Sequence, residues 1–270
     1  MVSPQTLRTH VTTDLEHGGR WTSLRHGGRQ WLWSRDEPRR QRVAAGDQFA
    51  DAGGIEECIP TVRGVPDHGA AWSRAWHMQD DHAVVECGDF QLRRRIRTGA
   101  DDVTADYRLT ATPGFRFIWA AHALLNLSQD ARLDLPRDAA LRIYPDATSA
   151  AATFRTGRWP DPARLRLDRL GPDDGTAIGI IALDCANVGI CDGGDRLEMR
   201  LTTAEPAPVS IAMWRNLGGY PAERPYRSIG VEPMLGSVFD LAHATATDAV
   251  TVGRSGLVQW QLRITSRCPV

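Results

Sequence analysis

The chain has 270 residues, of which 42% are hydrophobic and 24% charged, so it can bury a sizeable core without disulfides or a structural metal. The formal net charge is -1, which excludes a whole-molecule field that would attract nucleic acid or an anionic membrane. The sequence contains no lysine, which excludes lysine-dependent chemistry such as that of Schiff-base aldolases, pyridoxal enzymes and P-loop kinases.

The cysteines and the amino terminus favour a reduced protein without a membrane anchor. The five cysteines include no CxxC pair, so neither a zinc site nor a disulfide framework is indicated. The first ten residues lack a basic start followed by an apolar run, and no stretch approaches the length that spans a bilayer. We therefore expect a cytoplasmic protein. Residues 1–270 are expected to form one domain, because large all-β domains often reach this length.

Short apolar runs, often alternating with polar residues, dominate the chain and are separated by glycine, proline, aspartate and asparagine. This pattern predicts strands joined by turns. Near the start, two HGGR turns at 17–20 and 26–29 indicate consecutive hairpins. In chain order, the predicted strands cover 21–24, 30–33, 83–87, 90–96, 106–111, 115–127, 177–183, 197–202, 209–214, 237–241 and 257–264.

These strands are too many for one small sheet, whereas two large antiparallel sheets packed face to face would bury most of them. The sequence therefore predicts an all-β sandwich. Two stretches, 160–174 and 214–226, are predicted to be long loops. In LRRRIR at 92–97, strand alternation places Arg94 on the opposite face from Arg93 and Arg95. This alternation favours a solvated strand face over a nucleic-acid site.

The first segment with candidate functional residues is VPDHGAAWSRAW at 65–76, which places His68 on a turn followed by Trp72 and Arg74. Gly69 lets the backbone approach a ligand closely, and a tryptophan face can stack on the C–H surface of a sugar. The alternative interpretation is a surface loop whose tryptophan fills the edge of the sandwich.

Two further segments each carry one titratable residue in apolar surroundings. His122 interrupts the apolar strand FRFIWAAHALLNL at 115–127, where a hydrogen-bonded core histidine is the alternative to a catalyst. Glu232 lies in SIGVEPMLGSVFDL at 228–241, where an ionised carboxylate is costly to bury unless a polar group meets it. An edge-strand glutamate is the alternative there. Histidine and glutamate can together serve general acid–base catalysis, since their unperturbed pKa values are about 6.5 and 4.3.

Five phrases in succession resemble the galactose mutarotase-like superfamily, and more closely a bacterial aldose 1-epimerase branch of it. They are GGIEECIPTV at 53–62, PDHGAAWSRAW at 66–76, FIWAAHALLNL at 117–127, WRNLGGYP at 214–221 and GVEPMLG at 230–236. The resemblance implies a large antiparallel β-supersandwich with few short helices and a sugar cleft on the concave face of one sheet.

The same resemblance implies roles for individual residues. His122 would be the general acid and Glu232 the general base, while His68 would hold either the ring-oxygen side or a hydroxyl of the substrate. No metal or other cofactor is implied. Further predicted sugar contacts are Trp72, Arg74, Trp214, Asn216 and Glu57.

The sequence also departs from the family pattern. The best-known mutarotases follow the acid histidine with an aromatic pair, whereas Ala123 and Leu124 follow His122 here. Those enzymes also bind sugar hydroxyls with an aspartate between the histidine and the glutamate. The candidates for this aspartate here are Asp146, Asp173, Asp174 and Asp184. In the hexose 6-phosphate branch, an arginine follows the His-Gly turn at a closer spacing than Arg74 follows His68.

The resulting hypothesis is an isomerase, an aldose 1-epimerase that interconverts the α and β anomers of a hexose by acid–base ring opening. A small-molecule sugar is the expected partner. The alternatives are a non-catalytic carbohydrate-binding or sugar-sensing protein, a polysaccharide lyase or hydrolase, and a metal site built from His68, His122 and Glu232. The sequence leaves open which aldose is used, whether it is phosphorylated, and the oligomeric state.

Overall fold

The computed structural model describes residues 8–145, 153–162 and 165–268. Asp146, one of the candidate aspartates, lies outside these ranges. Within these ranges, helical structure is limited to short 3₁₀ turns such as Pro38–Arg42 and Leu241–His243. Among the described residues, no helix is both long and apolar enough to cross a membrane.

Strands form most of the regular structure. In the described ranges they are β1 (His10–Asp14), β2 (Arg20–His26), β3 (Arg29–Gln30), β4 (Gly54–Cys58), β5 (His77–Gln79), β6 (His82–Glu86), β7 (Phe90–Thr98), β8 (Asp102–Ala111), β9 (Arg116–Phe117), β10 (Trp119–Leu125), β11 (Arg132–Asp134), β12 (Ala140–Tyr144), β13 (Arg155–Arg158), β14 (Ala177–Leu183), β15 (Asn187–Asp192), β16 (Asp195–Thr203), β17 (Val209–Tyr220), β18 (Tyr226–Leu235), β19 (Val250–Thr251) and β20 (Leu257–Arg267).

Two large antiparallel sheets contain nearly all of these strands. Within the described ranges, the larger sheet has ten strands in the order β1-β2-β4-β10-β18-β17-β14-β12-β13, with β3 paired to β2. The smaller one has eight strands in the order β11-β15-β16-β20-β8-β7-β6-β5, and β9 pairs with β19. The predicted all-β antiparallel sandwich is confirmed.

The main core lies between the two sheets, and strand alternation decides which residues enter it. Along β10, Trp119, Ala121 and Ala123 pack into this core. Ala120 instead joins a second apolar cluster, and His122 lines a cleft. The ten-stranded sheet therefore buries one face against its partner sheet and carries the cleft on its other face.

Several predicted elements are confirmed. Hairpins β1–β2 and β2–β3 flank the HGGR turns. In β7, Arg94 points into the protein interior while Arg93 and Arg95 are partly exposed, as the alternation predicts.

The predicted strand at 237–241 is wrong, because this stretch is a bend that leads into the turn Leu241–His243. The Asp240 side chain begins that turn by accepting a hydrogen bond from the Ala242 amide. The predicted strand at 115–127 is interrupted, since β9 and β10 are separate and pair with different strands.

The predicted loop at 214–226 is also wrong, because β17 continues to Tyr220 and β18 begins at Tyr226. A buried asparagine explains why this glycine-rich stretch forms a hairpin. The Asn216 carboxamide donates to the carbonyls of Tyr220 and Tyr226 and accepts from the amides of Gly219 and Tyr220. One side chain thereby satisfies the backbone groups that the irregular turn leaves unpaired.

Candidate functional site

A cleft of about 570 Å³ opens on the outer face of the ten-stranded sheet. Its floor comes from β10, β14, β17 and β18, and its walls come from three connecting segments and the β17–β18 hairpin. Its volume lies within the range of small-molecule sites. The lining combines aromatic rings with histidine, carboxylate and arginine side chains.

The centre of the floor places His122 opposite Glu232. The pairing of β10 with β18 matches Ala120 with Met234 and Leu124 with Gly230, so residues 122 and 232 are cross-strand neighbours on the cleft face. Both are buried, and His122 Nε2 lies 3.8 Å from Glu232 Oε1. The second carboxylate oxygen, Oε2, is buried without a hydrogen-bond partner among the described residues. This pair can therefore offer a proton acceptor and a proton donor to one ligand.

Burial favours the neutral form of both residues of the pair. It raises the pKa of Glu232 above 4.5, although the charges of His122 and Arg63 oppose this. Burial also lowers the pKa of His122 below 6.5, against the attraction of the Glu232 charge. The attraction between the two charges opposes both shifts.

A buried ion pair supports His122 from its other side. The β4–β10 register matches His122 with Glu56, and the Glu56 carboxylate accepts hydrogen bonds of 3.0 Å from Arg40 Nε and Nη2. Burial raises the pKa of Glu56 to about 7, although Arg40 lowers it. Arg40 also donates to the Trp72 carbonyl. The turn Pro38–Arg42 is thereby fixed against the sheet beside the cleft.

His68 approaches the floor from a tight turn. Its backbone has φ 57°, a conformation that is rare for a residue other than glycine and costs conformational energy. The imidazole stacks on Phe49 with ring centroids 3.8 Å apart, and its centroid lies 5.1 Å from that of His122. The next residue, Gly69, has φ 82°, and a Cβ there would collide with the Ile59 carbonyl. This close packing holds the turn against β4.

Aromatic and acidic side chains complete the walls. Trp214 donates its indole N–H to Ser228 Oγ at 3.0 Å, and the Arg63 guanidinium lies 5.9 Å from the Trp214 ring centroid. The Tyr226 hydroxyl donates to Asp51 Oδ2 at 2.7 Å. The cleft thus offers an apolar indole surface beside hydrogen-bonding groups.

The structure brings together four of the eight predicted site residues in this cleft, namely His68, His122, Trp214 and Glu232. In the described part of the chain, the other four do not line it. Trp72 is buried behind Phe49, and the carbonyl of Arg74 accepts from Gly18. Asn216 is fully buried, and its carboxamide forms hydrogen bonds with the backbone of the β17–β18 hairpin.

Glu57, the eighth predicted residue, points in the opposite direction and lies between the sheets. Its carboxylate accepts hydrogen bonds from Arg94 at 2.8 Å, the Tyr107 hydroxyl at 2.9 Å and Trp119 Nε1 at 2.8 Å. Strand alternation explains this placement, because Glu56 and Glu57 are adjacent in β4 and must face opposite sides of the sheet.

Three of the candidate aspartates for binding sugar hydroxyls also lie elsewhere. Asp173 pairs with Arg227, Asp174 pairs with Arg215, and Asp184 has φ 55° at the end of β14.

Sequence reasoning missed several residues that line the cleft, most of them in connecting segments. Phe49 and Asp51 precede β4, Arg63 and Asp67 lie before His68, and Tyr226 begins β18. Segment 43–53 has no hydrophobic periodicity that could have indicated its position. The position of Asp67 beside His68 was the one available signal.

Among the described residues, no group of three or more histidine, cysteine, aspartate and glutamate side chains could hold a metal ion.

No protein-family model matches the sequence, and no curated protein matches it. Solved structures do match. A protein from Synechocystis sp. PCC 6803 has 14% identity and a TM-score of 0.71, with 99% of this chain and 94% of that chain covered. A galactose mutarotase-like protein from Lactobacillus casei ATCC 334 has 14% identity and a TM-score of 0.66, with 96% and 97% covered.

A third structure, from Escherichia coli K12, is provisionally described as an aldose 1-epimerase. It has 13% identity and a TM-score of 0.68, with 97% of this chain and 100% of that chain covered. At these identities the likeness establishes the fold. The chain has the galactose mutarotase-like fold that the five phrases between residues 53 and 236 predict.

Proposed function

We propose that this protein is an aldose 1-epimerase, which interconverts the α and β anomers of a hexose. One observation carries the proposal: His122 and Glu232 face each other on a buried cleft floor, and Glu232 Oε2 has no hydrogen-bond partner in the described part of the chain. An unpaired buried carboxylate oxygen costs free energy, which a hydroxyl donor from a ligand would recover. The shared fold with mutarotase-like proteins supports the same activity.

In the proposed reaction, Glu232 accepts the proton of the anomeric hydroxyl while His122 donates a proton to the ring oxygen. The C1–O5 bond breaks and the anomeric C–O becomes a carbonyl, giving the free aldehyde. Rotation about the C1–C2 bond exposes the other face of the carbonyl. Ring closure then reverses both proton transfers, so each side chain returns to its starting state.

The walls of the cleft supply the proposed sugar contacts. Trp214 offers a flat indole surface to the C–H face of the ring. Asp51, which is held by the Tyr226 hydroxyl and the Gly53 amide, is proposed to accept a hydrogen bond from a sugar hydroxyl, and so is His68. Glu57 and Asn216 are not carried into the proposal, because their polar atoms are occupied by internal hydrogen bonds.

The test is anomer exchange of freshly dissolved α-D-glucose, α-D-galactose and a hexose 6-phosphate, followed by polarimetry and saturation-transfer NMR. Glu232→Gln and His122→Gln are expected to lower kcat by roughly 10²–10⁴-fold each. Matched controls are Glu198→Gln and His77→Gln, since both residues are exposed on the other sheet. These controls should exchange anomers at the parent rate.

The outcomes separate the competing functions. Acceleration that depends on His122 and Glu232 supports the epimerase. If a sugar binds without accelerated exchange, the protein is a carbohydrate-binding protein on this fold. Acceleration that survives both substitutions would contradict the proposed roles.

A further inference from the structure

The turn that carries His68 holds a carboxylate whose hydrogen bonds all serve the cleft wall. Asp67 Oδ1 lies 2.8 Å from His68 Nδ1, and Oδ2 accepts from the Phe49 amide at 3.1 Å. The Asp67 carbonyl accepts from Trp72 Nε1 at 2.8 Å. One residue thus fixes the imidazole, the segment that carries Phe49, and the tryptophan behind it.

A carboxylate at this position determines which nitrogen of His68 carries the proton. An ionised carboxylate only accepts hydrogen bonds, so Nδ1 must be the N–H donor in this contact. Burial raises the pKa of Asp67, but its hydrogen bond with His68, the His68 charge and the Phe49 amide together lower it below 3.8. The carboxylate is therefore ionised near neutral pH. In a neutral imidazole, Nε2 is then the unprotonated acceptor.

Packing fixes the plane of the His68 ring, and the contact with Asp67 favours the orientation in which Nδ1 faces the carboxylate. The His68 ring stacks on Phe49 and meets the His122 ring edge to face, with an interplanar angle of 86°. Its side chain is 20% exposed and lines the cleft. Since Nδ1 is engaged by Asp67, Nε2 is the nitrogen that can meet a ligand.

We infer that Asp67 is a positioning residue that holds His68 as the Nδ1–H tautomer, so that His68 accepts a hydrogen bond from a sugar hydroxyl. This inference rests on the proposed function and makes it more specific. A ring oxygen has lone pairs and no proton, so it can pair only with a donor. His68 in this tautomer therefore binds a hydroxyl and leaves protonation of the ring oxygen to His122.

The first test requires no activity. Long-range ¹⁵N NMR of the full chain with labelled histidine distinguishes a protonated ring nitrogen from a bare one. For His68 in its neutral form, we expect a protonated Nδ1 and a bare Nε2. An Nε2–H tautomer of the neutral ring would overturn the inference, whatever the protein does to sugars.

The second test changes the carboxylate. In Asp67→Asn, the amide can donate to Nδ1, which would shift the His68 proton to Nε2 and invert the hydrogen-bonding role of that nitrogen. The matched control is Asp81→Asn, because Asp81 pairs with the adjacent His82 in the same way at 2.7 Å, on the exposed edge of the other sheet. Unchanged melting temperature and circular dichroism establish that Asp67→Asn is folded.

Deoxy sugars, each lacking one hydroxyl, then locate the contact. With the parent protein and the Asp81→Asn control, removing one particular hydroxyl should weaken binding by roughly 3- to 10-fold, the range of a neutral hydrogen bond. In Asp67→Asn this penalty should change at that position alone, because the hydroxyl there would then have to accept from Nε2–H. The hydroxyl-accepting role of His68 would be overturned if every deoxy sugar showed the same penalty in Asp67→Asn as in the parent protein. It would also be overturned if no sugar bound at all. Anomer exchange is measured separately, so its failure would count against the epimerase and not against the tautomer.

Discussion

At the scale of single residues, desolvation is the largest influence on the two central side chains. Glu232 and His122 lie on strands whose other face is apolar, and burial favours the neutral form of each group. Their mutual attraction opposes this effect. The pair should therefore titrate as one coupled system, with apparent pKa values that belong to both groups.

The pH profile of exchange follows from these directions. On the acid side, kcat/KM should fall as Glu232 becomes protonated, at a pH above its ordinary 4.5. On the alkaline side, it should fall as His122 loses its proton, at a pH below its ordinary 6.5. We expect a bell-shaped profile, measured by NMR exchange at several pH values. His122→Gln should abolish the alkaline limb and keep the acid limb; persistence of the alkaline limb would assign it to another group.

At the scale of elements, the cleft depends on the register among β10, β17 and β18. The same cross-strand row contains Leu124, Gly230, Trp214 and Gly179. Gly179 and Gly230 lie opposite Trp214 on the two neighbouring strands, and because neither has a side chain, there is open space on the sheet beside the indole. A side chain added at Gly230 would enter the cleft beside Glu232.

Gly230→Ala should therefore reduce activity more than stability. The new Cβ would lie 2.5 Å from Glu232 Oε1 and 2.9 Å from Trp214 Cβ, so the carboxylate must move away from its position facing His122. Displacement of a catalytic group by about 1 Å can cost on the order of 10²-fold in rate. The measurements are anomer exchange and the urea midpoint.

Gly179→Ala is the control for Gly230→Ala. It lies in the same row, but its Cβ would meet the Phe239 ring at 3.1 Å and not the carboxylate. Equal losses of rate in the two variants would contradict displacement of Glu232 as the cause.

The elements that the sequence predicted well are β7 and β20, which alternate clearly, and β14, which is a continuous apolar run. The predicted element boundaries that were wrong lie where a side chain, and not another strand, forms hydrogen bonds with the backbone. The Asn216 side chain allows β17 to continue through the glycines, which the sequence predicted to be a loop. The Asp240 side chain begins a 3₁₀ turn at the end of an apolar run, which the sequence predicted to be a strand. These outcomes depend on tertiary hydrogen bonds, which local propensity does not contain.

At the scale of the whole molecule, the face of the strand on which a residue lies decides whether it reaches the cleft, and residues of the cleft come from distant parts of the chain. His122 and Glu232 lie 110 positions apart in the chain. The resemblance to the galactose mutarotase-like superfamily indicated a role for each residue, but it did not indicate that the two side chains face each other across neighbouring strands. Phe49 and Asp51 reach the cleft because Arg40 anchors their segment to Glu56. No pattern in one sequence reveals such a long-range anchor.

The two sheets are joined across the core by Glu57, which was predicted to contact the sugar. It accepts from Arg94 and Tyr107 of the smaller sheet and from Trp119 of the larger one, and Arg94 and Glu57 are both almost fully buried. Such a pair is costly to form but more costly to break, because one partner alone is an uncompensated buried charge.

Glu57→Gln should lower the free energy of unfolding by about 3–5 kcal/mol, since it leaves the Arg94 charge unpaired. Combining it with Arg94→Met should restore part of this loss by removing that charge. The exposed control Glu198→Gln should stay within about 0.5 kcal/mol of the parent. Urea unfolding measures all three. If Glu57→Gln kept its stability but bound sugar more weakly, Glu57 would be a sugar contact after all, and the joint between the sheets would lie elsewhere.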